Sequence, residues 1–158
     1  MPGRFAAVAV LMGIVFSGMA QAADRHIGYY YPEPQTKEVY KARAQTLPEA
    51  DRVLRIGFVT GTMQQQFSAP YPPQVAVFAK GARAEKLIVV GLVDGRVDTL
   101  FRARAIFANM TAAARQLPAF AQMGVQDTFT FFDLAKLLGF EKITISDGRD
   151  FAHQVLIE

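Results

Sequence analysis

His153 and the two aspartates before it, Asp147 and Asp150, are the residues of this chain whose types and spacing come closest to acid–base chemistry. An imidazole beside a carboxylate works as a general base near neutral pH, so a small hydrolase or transferase using His153 with Asp150 is one expectation. The opposing reading is structural. Asp147-Gly148 is a turn pair that accounts for the carboxylates by itself, and His153 is then a satisfied histidine of the core or edge. No Ser or Thr stands in the strained strand-to-helix elbow of a hydrolase. Arg102 and Arg104, with Lys80 and Arg83, carry a second expectation. Cations beside a helix N-terminus gather a small anion, because the free amides there favour the same ligand. Their alternative is ordinary surface pairing with Glu85, Asp94 and Asp98. Tyr71 and the run Tyr29-Tyr30-Tyr31 offer aromatic surface, either for a ligand or partner or for packing on the edge of the domain.

Composition narrows the chemistry. The chain has no cysteine and two histidines, His26 and His153, with no carboxylate cluster. Neither a metal nor a cofactor is therefore expected, and no disulfide framework or thiol nucleophile. A formal net charge of +3, with no basic cluster interleaved with aromatics, argues against nucleic acid as a partner. Residues 1–22 read as a signal peptide: Arg4 supplies the positive start, Phe5 to Phe16 is uncharged and apolar, and Ala20-Gln21-Ala22 fits a small-x-small cleavage site. That run is short for a membrane span, which needs about 20 apolar residues. The expectation is a periplasmic or secreted protein with no stable membrane anchor after cleavage.

The elements that must position these side chains follow from periodicity. Residues 23–51 form an extended Tyr/Pro-rich arm, with a weak element over Lys37 to Gln45, and residues 52–158 form a single domain. Leu54 to Thr60 alternates like a strand, and Thr62 to Gln65 fits a capping box for one helical turn. Thr62 to Pro73 is then a long connection that either carries function, as a binding surface, or covers the sheet edge. Gln74 to Ala79 and Lys86 to Val93 read as an antiparallel hairpin. Leu100, Ala103, Phe107, Met110, Ala114 and Leu117 recur at helical spacing from near Thr99, with Asp98 as a candidate cap, until Pro118 breaks the chain. A second helix over Phe131 to Leu138 is bounded by a Thr130 capping box and by Gly139. Lys142 to Ser146 and Asp150 to Ile157 close the chain as a hairpin. This order predicts an α+β fold, an antiparallel sheet of about five strands with two helices packed on one face.

The segments RIGFVTG, PYPPQVAVFAKG, EKLIVVGLVDG, TLFRARAIFANMT, FTFFDLAKLLGFEKITISDG and FAHQVLIE resemble a family of small exported bacterial proteins. Its members are often labelled "molybdopterin-guanine dinucleotide biosynthesis protein A", so the resemblance implies a role linked to that cofactor's biosynthesis. The nucleotidyltransferase of that name carries a Gly-rich phosphate loop. Gly57, Gly61, Gly91 and Gly95 are spaced here as strand and turn glycines, and no catalytic residue is carried over. The residues themselves favour a non-catalytic domain that binds a small molecule or a partner protein, with Tyr71, Lys80, Arg102 and Arg104 as candidate contacts.

Overall fold

A computed structural model of the chain describes residues 32–158. The expected signal peptide, His26 and the tyrosine run lie outside the described residues. Nine elements follow in order: β1 (Thr36–Tyr40), α1 (Arg52–Ser68), β2 (Val75–Lys80), β3 (Lys86–Gly91), α2 (Leu100–Arg115), α3 (Pro118–Met123), α4 (Phe131–Leu137), β4 (Lys142–Ser146) and β5 (Ala152–Ile157). The fold is α+β.

The five strands make one sheet in the order β1-β5-β4-β3-β2. Both expected hairpins are present, β2 with β3 and β4 with β5, each antiparallel. The sheet as a whole is mixed, not antiparallel, because β3 runs parallel to β4 and β1 runs parallel to β5. The physical reason is the connections. A run of three helices separates β3 from β4, long enough to return the chain to the same end of the sheet, as parallel pairing requires.

One face of the sheet carries the core. Val77, Leu87, Val89, Ile143, Ile145 and Val155 alternate onto it and meet Ala103, Phe107, Phe120, Phe131, Leu134 and Phe140 from the helical layer. Complete burial of an aliphatic or aromatic side chain stabilises by about 1.5–3 kcal/mol, so this cluster holds the layers together. The α2 stripe is largely as its spacing predicts, with Ala103, Phe107 and Ala114 buried, while Leu117 is exposed. Thr99 caps α2 and Asp98 instead pairs with Arg102 one turn on. For α4 the Thr130–Asp133 capping box forms. Its left-handed stop also forms, with Gly139 at φ +78° and the Phe140 amide returning to the Ala135 carbonyl.

Two further expectations are corrected. Leu54 to Thr60, read as a strand, is the first half of the 17-residue helix α1, and Thr62 to Gln65 lies inside that helix instead of starting a separate turn. The helix begins at Asp51, whose carboxylate accepts from the Leu54 amide at 2.8 Å. Leu54, Phe58, Val59 and Met63 then pack on the core at helical spacing. The helical layer thus holds four helices, not two. The second correction concerns the arm: Thr36–Tyr40 is part of the sheet, paired with β5 from Thr36↔His153 to Tyr40↔Ile157.

Candidate ligand-binding site

Alternation on β1 sets Thr36, Glu38 and Tyr40 on the helix-covered face, and on β5 it sets His153 there. His153 is 1 % exposed. Its Nδ1 lies 2.7 Å from the Thr36 hydroxyl and its Nε2 lies 3.1 Å from Glu38 Oε1. A neutral ring satisfies both contacts when Nε2–H donates to the carboxylate and the threonine hydroxyl donates to Nδ1. Glu38 accepts at its other oxygen from Arg104 of α2, at 3.0 Å. Partial burial pushes the Glu38 carboxyl up, but hydrogen bonds from Arg104 and His153 outweigh it and hold the carboxyl below the usual range.

This chain of contacts binds β5, the edge strand β1 and α2 together. It does not make the expected base. Asp150 sits in the exposed turn, where its amide donates to Asp147 Oδ1 at 3.0 Å and its carbonyl accepts from Gln35. Neither ring nitrogen of His153 is open to a substrate. Beside Glu38 and Arg104 runs a cleft of about 520 Å³ floored by Tyr40, Phe107 and Phe132. The charged and hydroxyl groups along it are already engaged: Glu38 with Arg104, Arg115 with the Phe129 carbonyl, Thr111 with the Phe131 amide and Thr130 with Tyr40.

A second lock lies at the far end of β1. Asp133 of α4 is fully buried, and its carboxylate accepts from the Tyr40 hydroxyl (2.9 Å) and the backbone amides of Arg43 (2.7 Å), Ala44 (3.3 Å) and Thr130 (2.9 Å). Burial pushes the Asp133 carboxyl up, but these donors outweigh it and its pKa is lowered. Burial together with the Asp133 charge raises the Tyr40 phenol.

The remaining expected contacts disperse. Arg102 is held by Asp98 through two bonds of 2.7 and 2.8 Å. Tyr71 is 78 % exposed beyond α1. Lys80 ends β2 on the opposite face of the sheet. Only His153 and Arg104 are brought together, through Glu38, a residue that sequence reasoning missed although its alternation with Thr36 and Tyr40 places it.

The most ligand-like space lies elsewhere, beneath the second half of α1. A pocket of about 360 Å³ opens between α1, β2, α2 and α4. Phe58, Val77, Met110, Phe131 and Leu134 give it an apolar wall, and Thr62, Gln65 and Gln66 give it one polar edge. Gln66 is one of its lining residues, and its side-chain oxygen is buried and accepts no hydrogen bond among the described residues. Such a volume matches a small organic ligand, and apolar walls with a few polar groups are the usual lining of such sites. Thr62, Gln65, Gln66 and Ala69 line it, but the expected long connection from Thr62 to Pro73 is shorter than predicted, since α1 runs on to Ser68.

Among the described residues no group of three His, Cys, Asp or Glu is placed to hold a metal ion. Nor is any helix among them long and apolar enough to cross a membrane. Set against protein-family models, curated proteins and solved structures, the chain matches none, so its function is read from this geometry.

Proposed function

We propose that the protein is an exported, non-catalytic binding domain that takes a small, largely apolar molecule carrying one hydrogen-bond donor into the pocket beneath α1. The observation that carries this reading is the 360 Å³ apolar pocket lined by Gln66, a residue whose buried side-chain oxygen has no hydrogen-bond partner among the described residues. A buried acceptor without a partner costs about 1–3 kcal/mol, and a ligand N–H or O–H at that point recovers it. Export is supported by the signal-like segment 1–22.

Native mass spectrometry of the protein recovered gently from its own compartment tests the reading, followed by thermal shifts with indole and 1-octanol. A ligand that binds only the folded state raises the melting temperature in proportion to ln(1 + [L]/Kd). The expected result is a retained mass, or a shift that Met110→Trp abolishes by filling the pocket. Identical behaviour of the wild type and Met110→Trp with every probe overturns it. A parallel titration with GTP tests the molybdopterin-guanine dinucleotide link, and N-terminal sequencing of the periplasmic fraction tests cleavage after Ala22.

A further inference from the structure

Arg104, Phe107, Ala108, Thr111, Ala112 and Arg115 follow one another on α2 at steps of three or four residues or one, the pattern of a single helix face, and all of them line the 520 Å³ cleft beside β1. At a rise of about 1.5 Å per residue, this face carries an arginine at either end, about 16 Å apart. Between them Ala108 and Ala112 are exposed and small, so the cleft stays open. Its floor is aromatic. The Phe132 ring centroid lies 4.8 Å from that of Tyr40 and 5.0 Å from that of Phe107, and Tyr40 and Phe132 are only partly buried. A flat ring laid on such a floor gains stacking or edge contact beyond the area it buries.

The two ends of the cleft differ in charge. Arg104 is met by the Glu38 carboxylate at 3.0 Å. Arg115 meets only a carbonyl: its Nε donates to Phe129 at 3.0 Å, and Arg43 donates from Nη1 to the preceding carbonyl, that of Thr128, at 2.9 Å. Neither Arg43 nor Arg115 forms an ion pair among the described residues. Each guanidinium spends one N–H on these bonds and keeps the rest of its donors. Asp133 is no rival for them, since its oxygens are taken by the Tyr40 hydroxyl and by backbone amides. Two cations on consecutive carbonyls thus stand at one end of an aromatic cleft, and their planar N–H forks match a carboxylate.

We propose that this cleft is a second binding site, separate from the pocket beneath α1, and that it takes a flat aromatic acid with its rings on Tyr40 and Phe132 and its carboxylate at Arg115. The charge difference between the ends sets the orientation. The Arg104–Glu38 pair is neutral as a unit and borders the rings, while Arg115 and Arg43 draw the anion.

The test is a chemical-shift titration of the purified protein with 2-naphthoate and with its neutral counterpart 2-naphthamide. The amide is expected to bind about ten- to a hundredfold more weakly than the acid, and Arg115→Gln to bring the acid down to the level of the amide. Arg115→Lys, which keeps the charge without the fork, should fall between wild type and Arg115→Gln. Ala108→Trp fills the cleft from an exposed position and should abolish binding of both probes. Arg52→Gln, at an exposed arginine that begins α1, should change nothing. Circular dichroism verifies that each variant is folded. Equal affinity for acid and amide overturns the proposal, as does a loss in Arg115→Gln no greater than in Arg52→Gln. Binding that Met110→Trp abolishes and Ala108→Trp spares also overturns it, because the acid then sits beneath α1. So does a wild-type protein that leaves naphthoate unbound at about 1 mM.

Discussion

Replacing Asp133 by Asn tests whether β1 and α4 are joined by a charge. The carboxylate is fully buried and receives three backbone amides and a phenol. Asparagine keeps one acceptor oxygen, which serves the Arg43 and Ala44 amides. Its NH2 group then faces the Thr130 amide, donor against donor, and the capping box is lost. Loss of a cap costs about 1 kcal/mol, and a buried amide left without an acceptor costs about 1–3 kcal/mol. The expected destabilisation is about 2–4 kcal/mol at pH 7, a fall in melting temperature of roughly 6–15 °C for a chain of this size.

The pH dependence gives a second readout with a definite sign. The folded-state pKa of Asp133 lies below its ordinary value. Between the two values the unfolded chain binds more protons, so stability rises with pH there. Its contribution is present above the unfolded value, near pH 4, and is lost as pH falls through the folded value. Urea denaturation followed by circular dichroism from pH 2.5 to 7 should show a shallower acid limb in Asp133→Asn than in wild type. A cost below about 0.5 kcal/mol at pH 7, or an unchanged acid limb, refutes the reasoning.

Two further substitutions probe α1. Gly57 and Gly61 lie inside this helix, and a Cβ at either meets nothing within 4 Å. Gly57→Ala and Gly61→Ala should therefore each stabilise by about 0.5–1 kcal/mol in chemical denaturation. Arg55 is 5 % exposed, and its guanidinium donates to the carbonyls of Arg83 (2.8 and 2.9 Å), Leu138 (3.2 Å), Ala50 (3.3 Å) and Gly139 (3.4 Å), with no carboxylate pairing among the described residues. Arg55→Met should cost about 3 kcal/mol by the same assay, and Arg55→Lys should restore only part of it, since an ammonium cannot span these acceptors.

The parts of the fold legible in the sequence are those set by local chemistry. Thr130 and Asp133 announce the start of α4, Gly139-Phe140 announces its end, and the β-branched runs announce β2, β3, β4 and β5. The α1 helix was illegible for a local reason too. Val53, Ile56, Val59 and Thr60 are β-branched, and Gly57 and Gly61 weaken helix propensity, so short-range alternation masks the stripe of Leu54, Phe58, Val59 and Met63. Parallel pairing of β1 with β5 joins residues more than 110 positions apart, as in Thr36↔His153, and no local pattern encodes it. The candidate site shows the same division. His153 stands out by residue type, but its partners Glu38 and Thr36 become visible only once β1 is placed beside β5. The pocket beneath α1 depends on a helix read as a strand, so only its location within residues 62–73 is foreshadowed.

These observations divide the domain into a fixed part and a looser wall. The His153–Glu38–Arg104 chain holds α2 to the sheet's edge, and the Asp133 network holds α4 to the segment after β1. Those contacts immobilise the apolar side of the pocket, where Met110, Phe131 and Leu134 stand. The opposite wall is α1, anchored at its first turns by Asp51 and Arg55. Beyond Gly61 none of its residues is fully buried, and Phe67 near its end is 69 % exposed. Local opening costs least where few apolar contacts must be broken, so the second half of α1 is the wall that yields first. That half carries Thr62, Gln65 and Gln66, the polar edge of the pocket. A ligand of the kind proposed would therefore enter past Thr62, Gln65 and Gln66, while the locks that hold the sheet and the other helices stay closed.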